Sequence, residues 1–143
     1  MLSQTVEYAL RAVVHLADRA PEARTTEQIA EVTQVPKAYL SKVLQSLVRS
    51  GVVRSQRGLG GGMTLSRSAS EISLLEVVNG VDPLQRIKSC PLGLTTHGAN
   101  LCPLHRRLDE SLEHLERSFS ETSLEQILSQ PGSPRPLCES SKS

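Results

Sequence analysis

The sequence predicts a mainly α fold carrying one small β-hairpin, and three observations predict it. Apolar residues recur at helical spacing through three segments before residue 51. A glycine-rich run then separates two short β-forming stretches. After residue 102, leucines recur at steps of four, four and three, the period of a single long helix. The 143 residues suffice for one domain with a modest core. Tyr8, Tyr39 and Phe119 are the only aromatic residues, so Leu, Val, Ile and Ala must build that core. The same scarcity argues against an aromatic stacking platform for single strands.

The elements follow in order. A first helix is predicted from about Gln4 to Asp18, with Val6, Ala9, Leu10, Val13, Val14 and Ala17 on one face. After a PEAR connector, Thr25 and Gln28 stand in capping-box spacing and start a second helix. Ile29, Ala30 and Val32 are its expected core contacts. Pro36 is placed for the first turn of a third helix and Gly51 for its end. Leu40, Val43, Leu44 and Leu47 form its stripe. Two short helices joined by the tight TQVP turn read as helix-turn-helix. Val52 and Val53 open a strand, RGLGGG suits a hairpin tip, and Met63, Thr64 and Leu65 return. A hairpin directly after a helix-turn-helix is a wing. A nucleotide-phosphate loop is the other use of such glycines, but no Gly-Lys-Ser/Thr follows and no helix opens off the run.

Ser73 and Glu76 start a short helix that Gly80 is placed to end. Cys102 stands at an N-cap, with Pro103 at the first helical position. Leu104, Leu108, Leu112, Leu115 and Phe119 then form a stripe that calls for a partner. Packing on its own domain is one use of such a stripe; the expectation is a two-fold dimer seam, because readers of this type use two half-sites. TSLEQILSQ is a last short helix, and the polar, proline-rich remainder is expected to be disordered. The predicted organisation is a winged helix-turn-helix DNA-binding domain over 1–80, a cysteine loop and dimerisation helices over 81–130, and a tail over 131–143.

Net charge is only +1, but its distribution is one-sided. From Val32 to Ser70 there is no Asp or Glu, while Lys37, Lys42, Arg49, Arg54, Arg57 and Arg67 are present. Acids gather after Cys102 instead, at Asp109, Glu110, Glu113, Glu116, Glu121 and Glu125. That asymmetry predicts a polyanion-binding face on one half of the molecule. No basic leader and no apolar run near ~18 residues is present, which predicts a cytoplasmic protein without a transmembrane helix.

Two of the three cysteines and two of the four histidines fall between Cys90 and His105. An odd, sparse cysteine count predicts thiols or ligands rather than a secreted disulfide framework. Zinc held by Cys90, Cys102, His97 and His105 satisfies the chemistry. So does a thiol switch at Cys102, where a helix N-terminus favours the thiolate, and so does a loop that binds nothing. Cys102 as nucleophile with His105 as base would make an enzyme, but no third orienting group is identifiable. His15 reads as a core or interface histidine, His114 as solvated, and Cys138 as a tail thiol outside any ligand set.

EYALRAVVHLA, PKAYLSKVLQSLVRSGVVRSQRGLGGGMTLS and CPLGL…CPLH together resemble the IscR/NsrR (BadM-type) family of bacterial winged-helix regulators, over about Met1 to Gln130. The resemblance implies a homodimeric transcription factor on double-stranded DNA, with a long C-terminal dimerisation helix. It places Ala38, Tyr39, Ser41 and Lys42 in the major groove and Arg57, at the wing tip, in the minor groove. The physics agrees for an arginine on a glycine-rich hairpin, which can approach a narrow, negative groove. Ser41 and Lys42 can donate to bases or phosphates, whereas Tyr39 suits a core or phosphate contact better than base readout. Lys37 and Arg54, from the acid-free stretch, complete the expected DNA-binding set. A protein-interaction module that keeps the winged helix but leaves DNA is the competing reading.

The resemblance also implies an iron–sulfur cluster held by three cysteines spaced six apart. Cys90 and Cys102 match the first and third, but Thr96 stands in the middle position. Some relatives use a histidine where His105 stands, and some lend a carboxylate from the other subunit where Glu7 stands. His97 neighbours the vacant position. The expected metal set is therefore Cys90, Cys102, His105, Glu7 and His97. It suits a 2Fe–2S cluster best, since mixed Cys/His ligation of two irons is established chemistry. Zinc or no metal are the alternatives.

Overall fold

The computed structural model describes residues 2–94 and 100–137. Its elements run α1 (Gln4–Arg19), α2 (Thr26–Thr33), α3 (Lys37–Arg49), β1 (Val53–Gln56), β2 (Gly62–Leu65), a 3-10 turn (Ala69–Glu71), α4 (Leu74–Val81), α5 (Pro103–Glu121) and α6 (Leu124–Leu128). The fold is mainly helical with one antiparallel hairpin, in the winged helix-turn-helix arrangement that the sequence predicts.

Local chemistry sets the helix starts. Ser3 Oγ accepts from the Val6 N–H at 3.3 Å and begins α1. At α2 both halves of the capping box form, Gln28 N–H to Thr25 Oγ1 at 3.2 Å and Thr25 N–H to Gln28 Oε1 at 3.0 Å. Of the expected core contacts on α2, Ile29 is fully buried and Ala30 packs on the core. Thr33 is buried one turn after Ile29 because its hydroxyl donates to the Ile29 carbonyl at 2.6 Å. Pro36 is the N-cap of α3 rather than its first helical residue. Gly51, at φ +83°, closes α3 in the left-handed region.

β1 and β2 pair from Val53↔Leu65 to Gln56↔Gly62. Arg24 adds a third rung, its N–H and C=O bonding Met63 at 3.0 and 2.7 Å. A Cβ on Gly62 would lie 2.5 Å from the Arg24 carbonyl, so only glycine fits. Below this contact His15 is buried and its Nε2 accepts from Arg24 Nε at 3.3 Å. Burial and the neighbouring Arg24 charge hold its pKa below the ordinary histidine value, which keeps the imidazole a neutral acceptor.

Gly80 does not end α4. The helix continues to Val81, and the Gly80 Cα faces α3, with Ser50 Oγ 2.6 Å from where a Cβ would stand. The glycine is there for close helix approach. α6 returns to the winged half: Leu124 is fully buried in the same core as α1, Leu40 and Val77. Leu74 N–H to Thr122 C=O at 2.9 Å and Leu124 N–H to Ile72 C=O at 3.0 Å pin that return. One core therefore spans both sides of the boundary drawn at residue 80. α5 differs from every other long helix in having no buried residue. Arg135, in the expected tail, pairs with Asp18 of α1, while 138–143, including Cys138, lie outside the described residues.

Candidate nucleic-acid interface and cysteine loop

The second helix of the helix-turn-helix, α3, presents Lys37, Ala38, Tyr39 and Lys42 to solvent. Its stripe of Leu40, Val43, Leu44 and Leu47 is buried, so geometry alone turns the intervening residues outward. Tyr39 is 60% exposed and so lies on the surface, not in the core. Its ring packs against Tyr8 of α1 at 6.4 Å between centroids. Ser41 is half-buried and donates its hydroxyl to the Lys37 carbonyl at 3.1 Å, which leaves its oxygen as an acceptor.

The cations of the acid-free stretch differ in availability. Lys37 is held by Glu27 at 2.5 Å and Arg67 by Glu76 at 2.5 Å. Lys42, Arg49, Arg54 and Arg57 have no acidic partner among the described residues. Arg54 donates to the Ser66 carbonyl at 3.5 Å. Arg57 is exposed at the wing tip, followed by Gly58 at φ +94° and Gly60 at φ +73°. Four unneutralised cations thus stand on α3 and the hairpin that follows it.

In the cysteine loop, Cys90 is buried and its carbonyl accepts from the Gly93 N–H at 3.0 Å. Cys102 is the N-cap of α5 without a side-chain cap bond. Its Sγ lies 3.3 Å from Nδ1 of His105, one turn on, so the structure brings these two donors together. Glu7 is exposed on the first turn of α1 and accepts from Arg11 Nε at 3.0 Å. His97 and Thr96 lie outside the described residues. Among the described residues no three of the potential ligands gather at one point. The expected metal set is therefore represented by the Cys102–His105 pair, which fits a mixed thiolate/imidazole site in part.

The sequence reading missed what holds the segment leading into this loop to α5. Arg86 donates to both carboxylate oxygens of Asp109, at 2.7 and 2.8 Å, and the Ile87 N–H donates to Asp109 Oδ1 at 2.9 Å. The Arg86 guanidinium holds the Asp109 carboxyl down to about 2. No local pattern announces a pair 23 residues apart in the chain.

Residues 2–130 match the Rrf2 family, described as an iron-dependent transcriptional regulator. A helix-turn-helix-type transcriptional regulator of Aquifex aeolicus is 27% identical over 131 residues, covering 90% of this chain and 91% of that protein. YffB of Lactococcus lactis, named in the same way, is 32% identical over 134 residues, covering 88% and 85%. An Rrf2-like regulator of Rhodobacter capsulatus is 40% identical over 86 residues, which are 57% of each chain. Among solved structures, CymR, the global cysteine regulator of B. subtilis, superposes with a TM-score of 0.74 at 21% identity, covering 89% of this chain and 95% of that one. IscR of T. potens superposes with a TM-score of 0.74 at 19% identity, covering 90% and 85%. These two likenesses show the fold.

Proposed function

The chain belongs to the Rrf2 family of transcriptional regulators, and from that premise we propose that it is a cytoplasmic homodimer that binds specific double-stranded DNA under control of the Cys90–Cys102 loop. The observation that carries the DNA reading is the set of four cations on α3 and the wing that have no acidic partner among the described residues, in a stretch where no Asp or Glu occurs. Its members regulate transcription rather than catalyse reactions, and no helix among the described residues is long and apolar enough to cross a membrane. Support for the dimer comes from α5. None of its 19 residues is fully buried, and Leu104 and Leu108 are 63% and 46% exposed. A two-fold partner covering that stripe would also set the spacing of two reading helices.

Control is assigned to the loop because both of its ends are joined to α5: Arg86, just before Cys90, pairs with Asp109, and Cys102 begins that helix. Cys90, Cys102 and His105 would hold a two-iron cluster, with Glu7 of the partner subunit or His97 completing the set. A bound cluster would supply one-electron redox chemistry. The test is anaerobic purification of the full chain, followed by visible absorption, iron and sulfide content, and selection from a random duplex pool. The reading expects cluster absorption that Cys90→Ala and Cys102→Ala abolish and His105→Ala weakens, with sequence-selective DNA binding that changes on cluster loss. Iron-free wild-type protein after reconstitution would remove the cluster, and failure to select any sequence would remove the DNA reading.

A further inference from the structure

The wing tip holds one large apolar residue, and nothing among the described residues covers it. Leu59 is 108% exposed, the most of any large hydrophobic side chain described. A single exposed leucine is ordinary on a protein surface. The mounting of this one is not. Gly58 and Gly60 on either side carry no side chain and sit at φ +94° and +73°, with open space around them. The Gly61 N–H closes the turn onto the Gly58 carbonyl at 2.9 Å.

Behind the tip the backbone is packed without slack. A Cβ on Gly61 would lie 2.6 Å from the Gln56 carbonyl, and one on Gly62 would lie 2.5 Å from that of Arg24. The paired Arg24–Met63 bonds brace β2 from the α1–α2 connector. Glu22, which lines the same surface hollow as Gly58, Leu59, Gly60 and Gly61, is engaged by Arg24 at 3.2 Å. The hairpin is thus a braced finger with Arg57 and then Leu59 at its end, and the one acid among the described residues lining the hollow at its tip, Glu22, is paired. Charge complementarity points to a polyanion as what the finger meets.

We propose that Leu59 is an apolar wedge that enters the minor groove beside Arg57 and opens a base step, so that the protein prefers a deformable step at that place in its site. The inference rests on the DNA-binding reading above. Leucine is among the side chains that unstack base steps from the minor groove. The cost of opening is lowest at pyrimidine–purine steps and high in stiff A-tracts, so insertion discriminates without any hydrogen bond to a base.

The experiment selects duplexes from a random pool with the full-length wild type, Leu59→Ala and Leu59→Met. The step under the wing is then replaced by 2-aminopurine in the selected duplex. Wild type and Leu59→Met are expected to enrich TA or CA/TG there and to raise the 2-aminopurine emission. Leu59→Ala is expected to keep the same inner half-site, lose the enrichment at that step, lose the emission rise, and bind the TA duplex about tenfold more weakly. Its affinity for a duplex with a stiff AA step there should stay within about twofold of wild type. Enrichment and emission unchanged in Leu59→Ala overturn the wedge alone. A wild type that selects no sequence overturns the DNA reading, and the wedge with it.

Discussion

Salt dependence turns the ion-pair pattern of the reading face into a number. Each phosphate neutralised by a protein cation contributes about −0.9 to the slope of log K against log salt. Lys37 and Arg67 are already neutralised by Glu27 and Glu76, which leaves Lys42, Arg49, Arg54 and Arg57 as the available cations among the described residues, and twice that set in the proposed dimer. If all four contact phosphate, a dimer on two half-sites reaches a slope of about −7. Arg57→Ala removes one contact per protomer and should flatten it by about 2, with a loss of about 1–3 kcal/mol at low salt for each lost groove contact. Folding should be untouched, because Arg57 is exposed on the hairpin tip and bonds nothing else described. Glu27→Gln works in the other direction: it releases Lys37 and should steepen the slope. The assay is fluorescence anisotropy of a selected duplex from 50 to 300 mM potassium chloride, with thermal melts as the folding control. A wild-type slope shallower than about −2, or a slope that Arg57→Ala leaves unchanged, would refute the reasoning.

The α5 stripe yields a second test. Leu108→Glu with Leu112→Glu should give monomers in sedimentation velocity that fold but bind DNA weakly, and a wild type that stays monomeric at micromolar concentration ends the dimer proposal. The Asp109 latch is pH-sensitive with a defined sign. Its carboxyl is held down to about 2, below the ordinary 3.8, so its stabilising contribution is complete above about pH 4 and fades as pH falls toward 2. Urea midpoints of wild type and Asp109→Asn should therefore differ at pH 6 and converge as pH drops below 4. A difference that persists at acid pH places the stabilisation elsewhere.

Most of the reading head was legible because its signals are short-range. Thr25 with Gln28, Ser73 with Glu76, and Cys102 with Pro103 each mark a helix start within four residues: the first forms a full capping box, at the second the Ser73 hydroxyl caps the Glu76 N–H while the Glu76 carboxylate pairs with Arg67, and the third places Cys102 at the N-cap without a side-chain bond. The glycines of RGLGGG announced the hairpin because a left-handed turn and close backbone contacts leave no room for a side chain. The proximity of Cys102 to His105 follows from helical spacing in the same way. Tertiary packing decided the rest. Gly80 looks like a helix end in sequence but serves a close contact with Ser50, which only the docking of α3 on α4 creates. Leu124 reads as part of a separate C-terminal segment, yet its burial against α1 depends on a chain return set by two backbone bonds near Ile72 and Thr122. Which cations remain available was equally hidden, since Lys37 meets Glu27 across two helices and Arg86 meets Asp109 across 23 residues. Periodicity and caps act within a few residues of the chain, whereas charge pairing and close approach depend on distances that exist only once the helices have packed.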